Sequence, residues 1–184
     1  AIMGVSIAIL EVLKKEFNMD LNEINYCAGH SLGEYTALAA TGCLDLREVA
    51  KTLKLRGKSM QSAIGQGEGA MAALIGPDIN EAKDLIKEVP IDLVCEIANH
   101  NLHNQIVLYG DAKAIDILIS IAKEKNLKAI KLNVSAPFHC KYMIKTAEDL
   151  KVKFSDLKFK KPIIPIICNY TAEVFKDVDQ LKSA

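Results

Sequence analysis

The sequence predicts an α/β fold: a body of helices around a partial parallel sheet, carrying an inserted β-α-β-β-α-β unit. Three observations carry that prediction. Short apolar runs of strand length alternate with helical apolar spacing along the chain. The segment from Gly67 to Val134 has its own strand and helix rhythm. The segments flanking it read as strand, turn and helix, so 1–66 and 135–184 are assigned to the body and 67–134 to the insert.

Ala1 to Phe17 is apolar on nearly every side until Glu11, Lys14, Lys15 and Glu16, which predicts a helix largely inside the protein with its last turn in water. Ile24 to Ala28 reads as a short buried strand, Gly29 to Gly33 as a turn, and Glu34 to Thr41 as a small-residue helix stopped by Gly42. Asp45-Leu46-Arg47-Glu48 spells a capping box that opens a third helix, ending near Gly65-Gln66-Gly67. In the insert, strands are expected over Ala70 to Ile75, Leu93 to Ala98, Gln105 to Tyr109 and Ala129 to Val134. Helices are expected over Asn80 to Glu88 and Ala112 to Lys125. That order is the split βαβ plan of a ferredoxin-like unit. A helix over Lys141 to Phe154 and a strand over Pro162 to Cys168 follow; two prolines place the strand at an edge or at its own start.

Composition narrows the function. The 184 residues suit one domain or one domain with a small insert, and half are apolar, with 21 Ile and no Trp. Lys and Arg balance Asp and Glu at 23 each, which excludes a strongly basic nucleic-acid binder. No apolar run approaches the roughly 20 residues of a membrane-spanning helix. The N-terminus lacks a positive n-region and a cleavage site, so no secretory signal is expected. Five cysteines spaced without C-x-x-C predict reduced, mostly buried thiols in a cytoplasmic protein, with no metal site.

The sharpest local signal is Gly29-His30-Ser31-Leu32-Gly33, a G-x-S-x-G between a predicted strand and a predicted helix. A serine nucleophile sits on a sharp, strained turn where side chains two residues before and after would collide. The helix N-terminus behind it favours negative charge, and the Leu32 amide becomes an oxyanion donor. Ser31 with Glu34 also spells S-x-x-E, an ordinary cap. Among the histidines, His30 adjoins the nucleophile but points away from it. His100 and His103 sit in the polar run Asn99 to Asn104, predicted as a solvated loop. His139 sits in Ser135-Ala136-Pro137-Phe138-His139-Cys140, between strand and helix. That loop is where a base would be held, or where a histidine would cap the next helix. Arg56 stands out in a chain with 21 Lys and two Arg; it offers a carboxylate a bidentate fork, or makes a surface ion pair.

Together these segments resemble the malonyl-CoA:acyl carrier protein transacylase family of fatty-acid synthesis. The likeness is carried by Gly29 to Tyr35, by Leu55-Arg56-Gly57-Lys58-Ser59-Met60-Gln61, by Gly69 to Ala73 and by Ser135 to His139, in the family's order over almost the whole chain. It implies an α/β-hydrolase-like body with a ferredoxin-like subdomain. It implies that Ser31 is acylated by malonyl-CoA with His139 as base, that Arg56 holds the malonyl carboxylate, and that acyl carrier protein takes the malonyl group on its phosphopantetheine thiol. His30, Leu32 and Asn101 are carried over as substrate-contacting positions, with no cofactor beyond the substrates.

The family's G-Q-G-x-Q segment, its late Gly-Pro-Gly and its C-terminal glutamine have no counterpart here, and Asn101 to Gln105 keeps only the ends of the family's N-S-P-G-Q. A partial chain missing one oxyanion donor is therefore expected, a loss that costs about 10²–10³ in rate. The intact family implies a monomer, and exposed apolar surface in a partial chain leads to self-association. Two other readings stay open: a serine hydrolase of the patatin or esterase type using the same elbow, and an inactive fragment surviving as a fold.

Overall fold

A computed structural model describes residues 1–63, 68–133, 143–175 and 178–183. The chain forms two compact units, one of residues 1–56 and 150–184, the other of 57–149. Among the described residues helices accompany one parallel and one antiparallel sheet.

In the first unit, helix α1 (Ile2–Glu16) packs along α2 (Leu32–Ala40). The helix is where the sequence places it, but its burial is not: none of its residues is buried, and Ile2, Val5, Ile9 and Val12 are all at least half exposed. An all-round apolar pattern asks for cover on every side, and α1 meets the unit's core chiefly through Met3. Strand β1 (Cys27–Ala28) pairs in parallel with β6 (Ile166–Ile167). Both strands are shorter than predicted. Pro162 and Pro165 carry no N–H to donate, so pairing begins only at Ile166. Backbone bonds from Lys160 N–H to Cys43 C=O (2.8 Å) and from Ile163 N–H to Thr41 C=O (3.0 Å) guide this segment past the end of α2.

Gly42 ends α2 at φ +69°, a conformation natural to glycine. Helix α3 (Leu46–Ser62) then starts where Asp45 Oδ1 accepts the backbone N–H groups of Arg47 (2.9 Å) and Glu48 (3.3 Å). The core of this unit is Ala37, Leu38, Val49, Leu157 and Ile166, with Tyr35, Phe154 and Phe159 packed on it.

In the second unit the elements follow in the order β2 (Gly69–Ile75), α4 (Ile79–Lys87), β3 (Cys95–Leu102), β4 (Gln105–Asp111), α5 (Ala112–Glu124) and β5 (Lys128–Lys131). The sheet order is β3-β4-β2-β5, and the pairs are antiparallel. Ala70, Ala72 and Leu74 alternate with Met71 and Ala73, so β2 buries both faces, the first against Leu85, Ile115 and Leu118 of α4 and α5. Asp78 and Glu81 form a full capping box at α4. The predicted polar loop at Asn99 to Asn104 is mostly strand. β3 runs to Leu102 and pairs with β4 through backbone bonds that ignore its polar side chains. Helix α6 (Ile144–Ser155) follows, and α7 (Val178–Ser183) adds a helix with no counterpart in the sequence reading.

Candidate functional site

The site is built where β1 hands over to α2. Gly29 is required by contact: a Cβ there would lie 2.0 Å from the carbonyl carbon of Gly33 and 2.4 Å from the Glu34 nitrogen. Gly33 differs from expectation, because a Cβ on it would meet nothing within 4 Å. The turn is tight because the backbone of Gly33 comes back onto Gly29, and only one of the two glycines is needed to clear it. Between them Ser31 sits at φ 52°, ψ −106°, a strained conformation for an L-residue. Such backbone costs on the order of 1–3 kcal/mol and persists only where surrounding contacts hold it.

Those contacts come from distant parts of the chain. The Ser31 N–H donates to Asn169 Oδ1 at 3.0 Å, and the Asn169 N–H donates to Glu34 Oε1 at 3.1 Å. Within the turn, Gly33 N–H donates to His30 C=O at 2.8 Å. Burial pushes the Glu34 carboxyl above its ordinary range, while the Asn169 N–H and the Cys168 thiol pull it back. The S-x-x-E signature does not act as a cap: Ser31 is the N-cap residue of α2 but makes no side-chain capping bond.

Arg56, half-buried on α3, donates from Nη2 to Ser31 Oγ at 2.8 Å. Among the described residues no carboxylate lies within ion-pair distance of it, so the surface-pair reading of Arg56 has no partner there. Its guanidinium carbon sits 5.5 Å from the centroid of the Tyr35 ring, a cation–π distance. Tyr35 stacks on Phe154 at 5.9 Å, and Phe154 meets Phe159 edge-on at 6.0 Å. Burial raises the Tyr35 phenol, and the charge of Arg56 opposes that rise.

The structure thus gathers His30, Ser31, Leu32 and Arg56 at one helix N-terminus. His30 is exposed, and Leu32 opens α2. Asn101 is on β3 of the second unit, exposed. His139 lies outside the described residues. Sequence reasoning missed Asn169 and the contact of Tyr35 with Arg56. The available signal for Tyr35 was an aromatic four residues after the serine; Asn169 had no local signal. Among the described residues no cluster of His, Cys, Asp or Glu could hold a metal ion, and no helix is long and apolar enough to cross a membrane.

This arrangement can deliver a hydroxyl held on a strained turn, a dipole behind it and a cation beside it. The chain matches the family described as acyl transferase domain over residues 1–181. It is 38% identical over 184 residues to the malonyl CoA-acyl carrier protein transacylase of Bacillus subtilis, covering 99% of this chain and 57% of that protein. The crystal structure of FabD from Acinetobacter baumannii superposes with a TM-score of 0.90 at 37% identity, covering 98% of this chain and 57% of that one. A malonyl-transacylase in complex with its type II PKS acyl-carrier protein aligns with a TM-score of 0.90 at 31% identity, over 99% of this chain and 58% of the other. The chain therefore spans just under three-fifths of the length of each of these three relatives.

Proposed function

The chain belongs to the acyl transferase domain family, and on that premise we propose that it carries the nucleophile and the acid-recognition residue of a malonyl transferase. Ser31 Oγ attacks the thioester carbonyl of malonyl-CoA. His139 takes the hydroxyl proton and returns it to the departing CoA sulfur, leaving a malonyl-serine ester. The phosphopantetheine thiol of acyl carrier protein then attacks that ester, His139 taking and returning the proton in the reverse sense. The Leu32 amide and the dipole of α2 stabilise the oxyanion. His30 and Asn101 complete the substrate-contacting set carried over from the family.

The observation that carries this reading is the 2.8 Å bond from Arg56 Nη2 to Ser31 Oγ. A guanidinium held against the nucleophile is suited to an acyl group that brings its own carboxylate. When the malonyl carboxylate draws the fork to itself, the hydroxyl oxygen loses a cationic donor and keeps its own proton to give to the base. A charge-assisted hydrogen bond is worth roughly 1.5–3 kcal/mol, or about ten- to a hundredfold in preference over acetyl. A hydrolase acting on neutral esters has no use for this cation, which is why acyl transfer is preferred.

The domain reading that fits this function is an α/β-hydrolase-like acyltransferase body of 1–66 and 135–184 with a ferredoxin-like subdomain at 67–134. It is supported by the parallel pairing of β1 with β6 and by the β3-β4-β2-β5 order. On this reading no cofactor is needed beyond malonyl-CoA and the carrier's phosphopantetheine thiol, and the enzyme works in the cytoplasm. An acidic carrier protein would meet Lys151, Lys158, Lys160 and Lys161, with Lys153 engaged by Glu48 at 3.2 Å, or else Lys123 and Lys128, with Lys125 and Lys131 engaged by Glu88 and Asp116. The test is malonyl transfer to acyl carrier protein, read as the mass gain of the carrier. Transfer that needs Ser31 and prefers malonyl over acetyl only while Arg56 is present supports the proposal; transfer that survives Ser31→Ala overturns it.

A further inference from the structure

We propose that Tyr35 is a specificity-determining positioning residue, whose ring face holds the Arg56 guanidinium where it can receive the acyl carboxylate. The proposal rests on the reading of Arg56 given above and adds to it a residue that acts through Arg56 rather than on the substrate.

The geometry of the aromatic tier points to it. Tyr35 lies one helical turn after Ser31 on α2. Arg56 reaches the same place from α3, on a long side chain with many rotamers. Two contacts fix it there: Nη2 on Ser31 Oγ at 2.8 Å, and the guanidinium carbon 5.5 Å from the Tyr35 ring centroid. These contacts differ in lifetime during the proposed reaction. The bond to Ser31 must be given up when the hydroxyl attacks and the carboxylate takes the fork. The contact with the ring is made to its π face by the guanidinium as a whole and does not depend on the N–H that Ser31 Oγ accepts, so it persists through that exchange. The ring is itself packed against other rings. Phe154 stacks on it at 5.9 Å with 28° between planes, and Phe154 is set by Phe159 at 6.0 Å. Tyr35, Phe154 and Phe159 all pack on the buried core of the first unit. A cation released from the serine therefore stays over a platform rather than turning to solvent.

A different role would be simple filling: Tyr35 is a large ring beside Phe154, and its removal would loosen α2. The two roles separate if the shape of the ring is kept and only its electron density is changed. With Tyr35→Phe as the reference, which removes the hydroxyl, mono-, di- and trifluorinated phenylalanines at position 35 do this. The volume hardly changes while the negative face of the ring is progressively lost. The measurement is single-turnover acylation by malonyl-CoA and by acetyl-CoA in the protein that carries this sequence. The malonyl-to-acetyl ratio is expected to fall stepwise with fluorination, by about three- to tenfold over the series. In an Arg56→Ala background the same series is expected to be flat, since the ring then has no cation to hold.

A ratio that does not respond to fluorination while Arg56→Ala abolishes the preference overturns the role of Tyr35 and leaves that of Arg56 standing. A preference that survives Arg56→Ala overturns the reading beneath it. Malonyl and acetyl rates that fall together along the series show a packing role only and also overturn the proposal.

Discussion

Asn169 Oδ1 accepts the backbone N–H of Ser31 at 3.0 Å across 138 positions of sequence, and through its own N–H Asn169 also holds Glu34 Oε1 at 3.1 Å. One side chain and one amide thus tie the strained residue and the first turn of α2 to the end of β6. The strain at Ser31 is maintained from outside the turn, by a residue that the parallel pairing of β1 and β6 brings alongside.

Asn169→Ala is therefore expected to lower Ser31 acylation by roughly tenfold, the worth of a neutral hydrogen bond of about 1–1.5 kcal/mol. Malonyl and acetyl rates should fall alike, because the change acts on the proposed nucleophile and not on the proposed recognition of the carboxylate. Single-turnover rates with both thioesters check this. A loss confined to malonyl would contradict it.

The two glycines of the elbow are expected to behave differently. In Gly29→Ala the new methyl would have to occupy space 2.0–2.4 Å from backbone atoms of Gly33 and Glu34, so the turn must open. A destabilisation of about 3 kcal/mol or more is predicted, read as a shift in the urea midpoint. Gly33→Ala meets open space within α2 and should be neutral or stabilising by up to about 1 kcal/mol. Equal losses at the two positions would contradict the geometry of the turn.

Glu34 gives a prediction in pH. Burial raises its folded-state pKa above the ordinary value of 4.5. Below that value both folded and unfolded chains carry the neutral acid, and Glu34 and a glutamine in its place are equivalent. As pH rises, the unfolded chain ionises first and gains relative to the folded one, until the folded carboxyl ionises in turn. Glu34→Gln, which keeps an acceptor for the Asn169 N–H, should therefore match the parent near pH 4 and be more stable than it at pH 7. Denaturant midpoints measured across that range check the sign. A parent more stable than the variant at pH 7 would contradict it.

Much of the architecture follows from local signals, and its departures have physical reasons. The second unit is readable because Asp78 and Glu81 cap α4 in sequence and because apolar alternation marks β2 and β4. The polar stretch at Asn99 to Leu102 hid the end of β3, since strand pairing is made by backbone groups that polar side chains do not reveal. Helix α1 was recognisable as a helix, but all-round apolarity states what a segment needs and not what surrounds it, and Val5 and Ile9 remain exposed. In the candidate site the elbow was legible because Gly29, Ser31 and Gly33 are neighbours. Asn169 was not, because nothing local distinguishes an asparagine after a proline-rich strand from any other loop asparagine. Arg56 was visible as an oddity of composition, and its place beside Ser31 needed the packing of α3 against α2 to become evident.

The most direct test of the account is whether Ser31 becomes acylated. The protein incubated with malonyl-CoA, digested and mapped by mass spectrometry should carry one malonyl ester on the peptide containing Ser31, lost on addition of a pantetheine thiol and absent from Ser31→Ala. An adduct that persists in Ser31→Ala, or that maps to another residue, would contradict the assignment of this hydroxyl as the nucleophile.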